Sequence, residues 1–197
     1  FVAEKVLLLA NRVTGVADLL AQLPPDVPVY VAEASVLNAI TGFDMHRGVL
    51  ALGRRAVKPD CTEVLRALPE TALVVVCCGI SNHDNIGAIF RNAAALGADA
   101  VLLDETCCDP LYRKALRVSV GSVLAVPYSR ADGAETVLVA LAGEGFSILA
   151  LSPSGLTDIR AIEAGRRVAL VLGTEGDGLP QEILTRFQSV RVPQAQF

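Results

Sequence analysis

The stretch ALVVVCCGISNHDNIGAIFRNAAALGADAVLL, residues 72–103, decides the fold. An apolar run, Ala72 to Cys78, opens it, and a second run, Ala100 to Leu103, closes it. Uninterrupted apolar runs of this length predict strands buried on both faces of a sheet. Between them, apolar residues recur at the i, i+3, i+4 and i+7 spacing of a helix, which we predict over Ile86 to Leu96. Strand, helix and strand in this order predict parallel pairing.

The same alternation runs through the whole chain. Further strands are predicted at Lys5 to Leu9, Val27 to Val31, Gly48 to Leu52, Val123 to Val126, Ser147 to Leu151, Arg167 to Leu172 and Ser189 to Val192. Further helices are predicted at Gly15 to Gln22, Glu33 to Thr41, Cys61 to Ala67, Leu111 to Ser119, Ala134 to Gly143 and Pro180 to Phe187. The sequence therefore predicts an α/β fold with a largely parallel sheet.

A domain boundary is predicted within GRRAVKPD, residues 53–60, where three basic residues and a proline interrupt the apolar rhythm. It would separate a small α/β domain, residues 1–57, from a larger domain, residues 58–197. With 52% hydrophobic residues, the chain can bury a sizeable core. No apolar run approaches the ~18 residues of a membrane span, so we expect a soluble, cytoplasmic protein with no membrane partner.

Charge and cysteine content exclude further classes. A net charge of −4 argues against a broadly basic protein that coats nucleic acid, although a local basic patch stays open. The five cysteines include two adjacent pairs and no C-x-x-C. Adjacent cysteines suit neither a two-point metal clamp nor a relaxed disulfide, so we predict reduced thiols and no metal site.

The loop SNHDN, residues 81–85, follows a buried strand, at the end where ligands bind in open α/β sheets. Arg91 falls on the flank of the following helix, ~120° from the middle of its apolar face. Periodicity alone favours a solvated surface arginine. The alternative is a clamp for phosphate or ribose, formed by the helix start and the planar guanidinium.

A second ligand-side loop lies in VALVLGTEGDGLP, residues 168–180, where three glycines and two acids follow an apolar strand. Its spacing matches neither a dinucleotide fingerprint nor a phosphate loop. Carboxylates would repel phosphates, so the loop suits a cationic or sugar-like ligand better. A plain strand-to-helix turn explains three glycines around Glu175 less well than a binding loop does.

Two other features give weaker evidence of function. Arg113, Lys114 and Arg117 form a basic stripe at helical spacing, for which a solvated face is the favoured interpretation. No acid-plus-serine pattern accompanies His46 or His83, so hydrolase chemistry is unsupported.

Four strings in this order, DNIGAIFRNAAALGADAVLL, RVSVGSVLAVP, LVLGTEGDGLP and VRVP, resemble the SpoU (TrmH-type) family of RNA 2′-O-ribose methyltransferases in the SPOUT superfamily. The resemblance covers roughly residues 72 to 193. VYVAEASVLNAITGFDMHRGVLALG looks like the end of the small RNA substrate-binding domain that precedes the catalytic domain in many members, and would make residues 1–57 an incomplete copy of it.

The resemblance implies a trefoil-knotted SPOUT domain that dimerises, binds RNA and uses S-adenosyl-L-methionine. The asparagine and arginine of the first family motif fall on Asn85 and Arg91, and the glutamate of the second falls on Glu175. These are the catalytic candidates. The cofactor-binding candidates implied by position are Leu151, Gly173, Gly176, Val192 and Pro193.

The predicted reaction is methyl transfer to a ribose 2′-hydroxyl of rRNA or tRNA. Because a guanidinium holds its proton too tightly to act as an easy base, we hypothesise that Arg91 orients the target phosphate and 2′-oxygen. It would also stabilise developing negative charge there, with Asn85 and Glu175 fixing its position.

One departure from the family concerns the third motif, which continues past its proline, whereas this chain ends four residues after Pro193. We therefore expect the C-terminal knot segment to be truncated or disordered. Two alternatives stay open. One is a catalytically inactive RNA-binding dimer of the same fold, and the other is a nucleotide-dependent oxidoreductase on a doubly wound sheet.

Overall fold

The computed structural model describes residues 1–57, 59–163 and 165–194. The chain divides into two compact units, Phe1–Val57 and Lys58–Phe197. The first unit contains a three-stranded sheet in the order β2-β1-β3, with β2 parallel and β3 antiparallel to β1. Its elements are β1 (Val2–Leu9), α1 (Ala17–Leu20), β2 (Val29–Ala32), α2 (Ala34–Thr41) and β3 (Val49–Arg54).

The second unit is built on a seven-stranded sheet in the order β6-β5-β4-β9-β7-β10-β8, and every strand pairs in parallel with its neighbours. The strands are β4 (Ala72–Cys77), β5 (Ala100–Leu103), β6 (Tyr128–Arg130), β7 (Ser147–Leu151), β8 (Thr157–Asp158), β9 (Arg167–Leu172) and β10 (Gln188–Arg191). The helices are α3 (Cys61–Arg66), α4 (His83–Ala95), α5 (Arg113–Val118), α6 (Ser122–Ala125), α7 (Ala134–Gly143) and α8 (Gln181–Arg186).

Helices cover both faces of this sheet, which is why its central strands are apolar on both sides. On one face, α3, α7 and α8 pack in a core around Leu65, Leu138 and Ile183. On the other, α4, α5 and α6 pack around Phe90, Ala115 and Val123. Local signals set the helix starts. For example, Asp60 and Glu63 form a reciprocal capping box at α3.

The predicted strand Val123 to Val126 is wrong: the chain forms α6 there and then β6, which the prediction missed. Gly121 adopts a left-handed conformation (φ 87°) that lets the chain turn into a new helix after α5. Pro127 ends this helix, and its carbonyl accepts from the Val101 N–H at the start of the β5–β6 pairing. A run of four apolar residues is too short to show either the helical or the strand periodicity, so it does not distinguish helix from strand.

Other departures are smaller. The two-residue strand β8 was not predicted, β10 begins one residue earlier than predicted, and α1 covers four residues of the predicted Gly15 to Gln22 helix. Across the described ranges, no helix is long and apolar enough to cross a membrane. The predicted C-terminal truncation or disorder concerns the chain from residue 195 onward, which lies outside the described residues, and the trefoil knot stays a prediction.

Candidate active site

Three of the segments predicted to bind cofactor end at one edge of the sheet. β9, β7 and β10 are neighbours and run in parallel, so Gly173, Leu151 and Val192 all lie at their carboxyl ends. Pairing is tight there: Leu151 is in register with Val190, and the Ser152 N–H donates to the Val190 carbonyl at 2.9 Å. The structure therefore brings these candidates together, with Pro193 one residue further along.

Two glycines at this edge sit where no side chain fits. A Cβ added to Gly173 would lie 2.3 Å from the Gly178 carbonyl carbon, and one added to Gly155 would lie 2.3 Å from the Val190 carbonyl carbon. Real Cβ atoms essentially never come this close to another atom, so at each glycine the chain packs directly against backbone. The loop after β9 thereby folds back on itself, and the loop after β7 packs against β10.

The loop after β9 is closed on itself. The Thr174 N–H donates to the Gly178 carbonyl at 3.2 Å, and the Gly178 N–H donates to the Thr174 hydroxyl at 3.1 Å. Within the described part of the chain, the N–H groups of Glu175, Gly176 and Asp177 have no acceptor. The loop thus presents free backbone N–H donors and the carboxylates of Glu175 and Asp177 at the carboxyl edge of the sheet, which we call the ligand-side edge. Such groups suit a polar organic ligand.

Glu175 and Asn85 meet at this edge although 90 residues separate them in the chain. The Asn85 side-chain amide donates to a Glu175 carboxylate oxygen. The first turn of α4 is fixed by the Asn82 cap, whose side chain accepts from the Asp84 N–H at 2.8 Å. The Asp84 carboxylate also pairs with Lys114 Nζ of α5 at 2.7 Å.

Arg91 lies on the same helix as Asn85 but further from its start. Six residues of α-helix place it roughly 9 Å along the axis and roughly 120° around it. The side chain is exposed and, across the described residues, makes no hydrogen bond or ion pair. Asn85 and Glu175 are therefore in contact, whereas Arg91 has a free guanidinium on the flank of α4.

Sequence reasoning missed two residues of this region. Gly87, buried in α4, lies against α5 so closely that an added Cβ would be 2.8 Å from the Ala115 carbonyl oxygen. Asp104, buried directly after β5, accepts hydrogen bonds from several backbone N–H groups. A glycine inside a helical pattern signalled the first. No pattern signalled the second.

A cavity of about 540 Å³ opens beside the loop after β9, lined among others by Gly79, Thr174, Asp177 and Gln181. Segments that follow β4 and β5 also line it, through Gly79, Asp104 and Thr106. The cavity therefore belongs to the same ligand-side edge as Glu175.

The cysteines are buried reduced thiols, apart from the half-buried Cys108. Burial raises the pKa of Cys78 and of Cys107 to about 12, and it raises the pKa of Cys77 as well. Such thiols stay protonated and unreactive at neutral pH. The described residues include no group of three or more histidine, cysteine or acidic side chains that could hold a metal ion.

Comparison with known proteins places these features in a family. The model of the SpoU rRNA Methylase family matches residues 72–197. An uncharacterized tRNA/rRNA methyltransferase of Mycobacterium bovis is 41% identical over 209 residues, which cover 97% of this chain and 71% of the relative. A 23S rRNA (guanosine-2′-O-)-methyltransferase of Neisseria meningitidis is 30% identical over 155 residues, which cover 78% of this chain and 62% of the relative.

The architecture also matches a solved structure. The AdoMet-bound rRNA methyltransferase from Sinorhizobium meliloti superposes with a TM-score of 0.80 at 26% identity, over 98% of this chain and 72% of that one. The small N-terminal α/β sheet and the seven-stranded parallel sheet are thus both features that this chain has in common with a methyltransferase.

Proposed function

The chain belongs to the SpoU rRNA methylase family, and we propose that it transfers a methyl group from S-adenosyl-L-methionine to a ribose 2′-hydroxyl of rRNA or tRNA. The observation that carries the proposal is the contact between Asn85 and Glu175 at the ligand-side edge. It joins the first turn of α4 to the loop after β9, two segments that are 90 residues apart in the chain. Family membership also sets aside the oxidoreductase alternative.

The residues at this edge fit the cofactor. The backbone packs so closely at Gly155 and Gly173 that neither position has room for a Cβ, which fixes the shape of this edge. The strand ends at Leu151, Gly173 and Val192 supply backbone groups, and the Gly176 N–H is free to donate to the ligand. When bound, S-adenosyl-L-methionine supplies a methyl group already activated by its sulfonium. The positive sulfonium matches the acidic loop that carries Glu175.

Arg91 is the residue proposed to act on the ribose. A guanidinium is a poor base, so Arg91 would donate hydrogen bonds to the 2′-oxygen and the neighbouring phosphate, and the 2′-hydroxyl proton would pass to water. Two parallel N–H donors orient an oxygen acceptor and stabilise the negative charge that develops as the methyl group transfers. Asn85 and Glu175 fix the first turn of the helix that carries Arg91.

The test replaces Arg91 by lysine and measures methyl transfer from labelled S-adenosyl-L-methionine to rRNA and tRNA. The charge survives in Arg91→Lys but the planar fork is lost, so turnover should fall on the order of 10- to 100-fold. Arg117→Lys on α5 is the matched control, since Arg117 is also exposed and should tolerate the change. Near-normal turnover of Arg91→Lys would refute the role of the fork.

The alternative within the family is an RNA-binding dimer that no longer transfers methyl groups. Isothermal titration with S-adenosyl-L-methionine separates the two, because a degenerate member should bind RNA without binding the cofactor. RNA binding with no cofactor heat would favour this alternative over the enzyme.

A homodimer is part of the proposal. Leu96, Val120 and Leu124, in the layer formed by α4 to α6, are exposed by 79%, 73% and 54%. A second copy of the chain that packs on this layer would remove these apolar side chains from water. Sedimentation velocity at micromolar concentration should give a dimer, and a monomer there would contradict this part of the proposal.

A further inference from the structure

Asp104 is a buried carboxylate at the ligand-side edge with an unusually full set of partners. It follows β5 directly and is 6% exposed. Its oxygens accept from the backbone N–H groups of Gly79, Thr106 and Cys107 at 3.0, 3.1 and 3.0 Å, and from the Thr106 hydroxyl at 2.8 Å. Bonds between a carboxylate and backbone N–H groups are among the stronger hydrogen bonds in proteins.

The two carboxylate oxygens of Asp104 differ in their hydrogen-bond partners. Oδ1 accepts from the turn that contains Thr106 and Cys107. The Gly79 N–H donates to both oxygens, to Oδ2 at 3.0 Å and to Oδ1 at 3.2 Å. Oδ1 therefore holds the turn after β5, and both oxygens bond to the loop that leads from β4 into α4.

Gly79 in turn packs against Thr174 in the loop after β9. Its backbone is left-handed (φ +71°), and a Cβ added there would lie 2.8 Å from Thr174 Cγ2. Thr174 precedes Glu175, which accepts from Asn85 on α4. The contacts thus close a ring: from Asp104 to Gly79, onward to Thr174 and Glu175, and back through Asn85 to the helix that Gly79 leads into.

We propose that Asp104 is a positioning residue for methyl transfer, which fixes the β4–α4 loop against the loop of Glu175. The inference rests on the proposed function. A displacement of about 1 Å in a reacting group can cost on the order of 100-fold in rate, so a restraint two contacts away from the chemistry is enough to affect turnover.

Asp99 provides a matched control at the opposite end of the same strand. It immediately precedes β5, and its Oδ2 accepts from the Leu73 N–H of β4 at 2.8 Å. Both aspartates therefore tie β5 to a backbone N–H of the neighbouring β4 segment. Only Asp104 does so at the carboxyl end, where the candidate catalytic residues lie.

The decisive substitution is Asp104→Asn. Since the partners of Oδ1 are all donors, the asparagine oxygen must take that place, which puts its NH₂ group against the Gly79 N–H. The change therefore replaces the shorter bond to Gly79 (3.0 Å, to Oδ2) by a contact between two donors, leaves the longer one (3.2 Å, to Oδ1) and keeps the turn. In Asp99→Asn, the amide can turn its oxygen toward Leu73 and preserve the bond.

In methyl-transfer assays, Asp104→Asn should lower kcat at least 10-fold, while the KM for RNA and the Kd for S-adenosyl-L-methionine change by less than about 3-fold. Asp99→Asn should keep kcat within about 3-fold of the unchanged protein. A kcat of Asp104→Asn equal to that of Asp99→Asn would overturn the proposal, as would a loss that appears in KM alone.

Two further measurements cover the remaining outcomes. If Asp104→Asn does not fold, Thr174→Ser removes the methyl group that contacts Gly79 and keeps the hydroxyl that accepts from Gly178. An unchanged kcat in that variant would overturn the proposal. If the unchanged protein transfers no methyl group, the proposed function fails on its own. Hydrogen exchange over residues 79–85 then decides the role of Asp104: faster exchange in Asp104→Asn than in Asp99→Asn supports it, and equal exchange overturns it.

Discussion

Replacing Gly87 by alanine measures how closely α4 must approach α5. An added Cβ would lie 2.8 Å from both the Ala115 carbonyl oxygen and Val118 Cβ. A backbone oxygen cannot turn away as a side chain does, so the two helices must separate by several tenths of an ångström. Overpacking of this kind costs about 1–3 kcal/mol.

The intrinsic preference of alanine for a helix opposes that cost. Alanine stabilises a helix interior by about 1 kcal/mol relative to glycine. We therefore expect Gly87→Ala to lower the free energy of unfolding by up to about 2 kcal/mol. For a chain of this length, each kcal/mol lowers Tm by roughly 2–4 °C.

Gly143 gives the matched control. It is the last residue of α7, it is exposed, and nothing lies within 4 Å of an added Cβ. Gly143→Ala should therefore leave stability unchanged or raise it by up to about 1 kcal/mol. Urea unfolding followed by circular dichroism compares the two variants. If both variants are equally stable, contact with α5 does not restrict the size of the side chain at position 87.

Three further predictions follow from the contacts of the second unit. Glu175→Gln keeps an oxygen facing Asn85, so methyl transfer should fall less than in Glu175→Ala; equal turnover losses would contradict a role through this bond. Because burial raises the pKa of Cys78 and Cys107 to about 12, the folded protein binds more protons than the unfolded chain above pH ~9. Each thiol should then lower the unfolding free energy by up to about 1.4 kcal/mol per pH unit above that point, and urea unfolding at pH 8, 9 and 10 checks for a decline against a flat profile. Gly155→Ala places a Cβ against the backbone of Val190 and should lower the free energy of unfolding by about 3 kcal/mol or more. An unchanged Tm would contradict the close packing of backbone at this position.

The central strands could be predicted from sequence because burial on both faces leaves no polar residue to interrupt them. β5, β7 and β9 have the predicted bounds. Prediction failed where the same kind of run was short and not part of the sheet. Val123 and Val126 are buried under α4, and burial alone does not reveal whether a four-residue run is helix or strand.

The site was harder to predict from the sequence than the fold was. Patterns placed Asn85 and Glu175 each at a strand end, but only the family resemblance linked two residues so far apart in the chain. Asp104 had no signal at all, since its role depends on which backbone N–H groups point at it. An acid after a strand is common on protein surfaces, and only the three-dimensional arrangement distinguishes this one.

The glycines of the second unit tell where the chain needs close backbone approach. An added Cβ would come within 3.0 Å of another atom at Gly79, Gly87, Gly155 and Gly173, and at none of the unit's other glycines. Gly79, Gly155 and Gly173 lie on loops after β4, β7 and β9, and Gly87 lies on the helix that carries Asn85 and Arg91. If these contacts only filled the core, they would be spread over both edges of the sheet. Three of the four lie at the carboxyl edge, where Gly79 and Gly155 let separate segments of the chain approach closely, as the proposed orientation of a methyl donor beside a ribose hydroxyl would require.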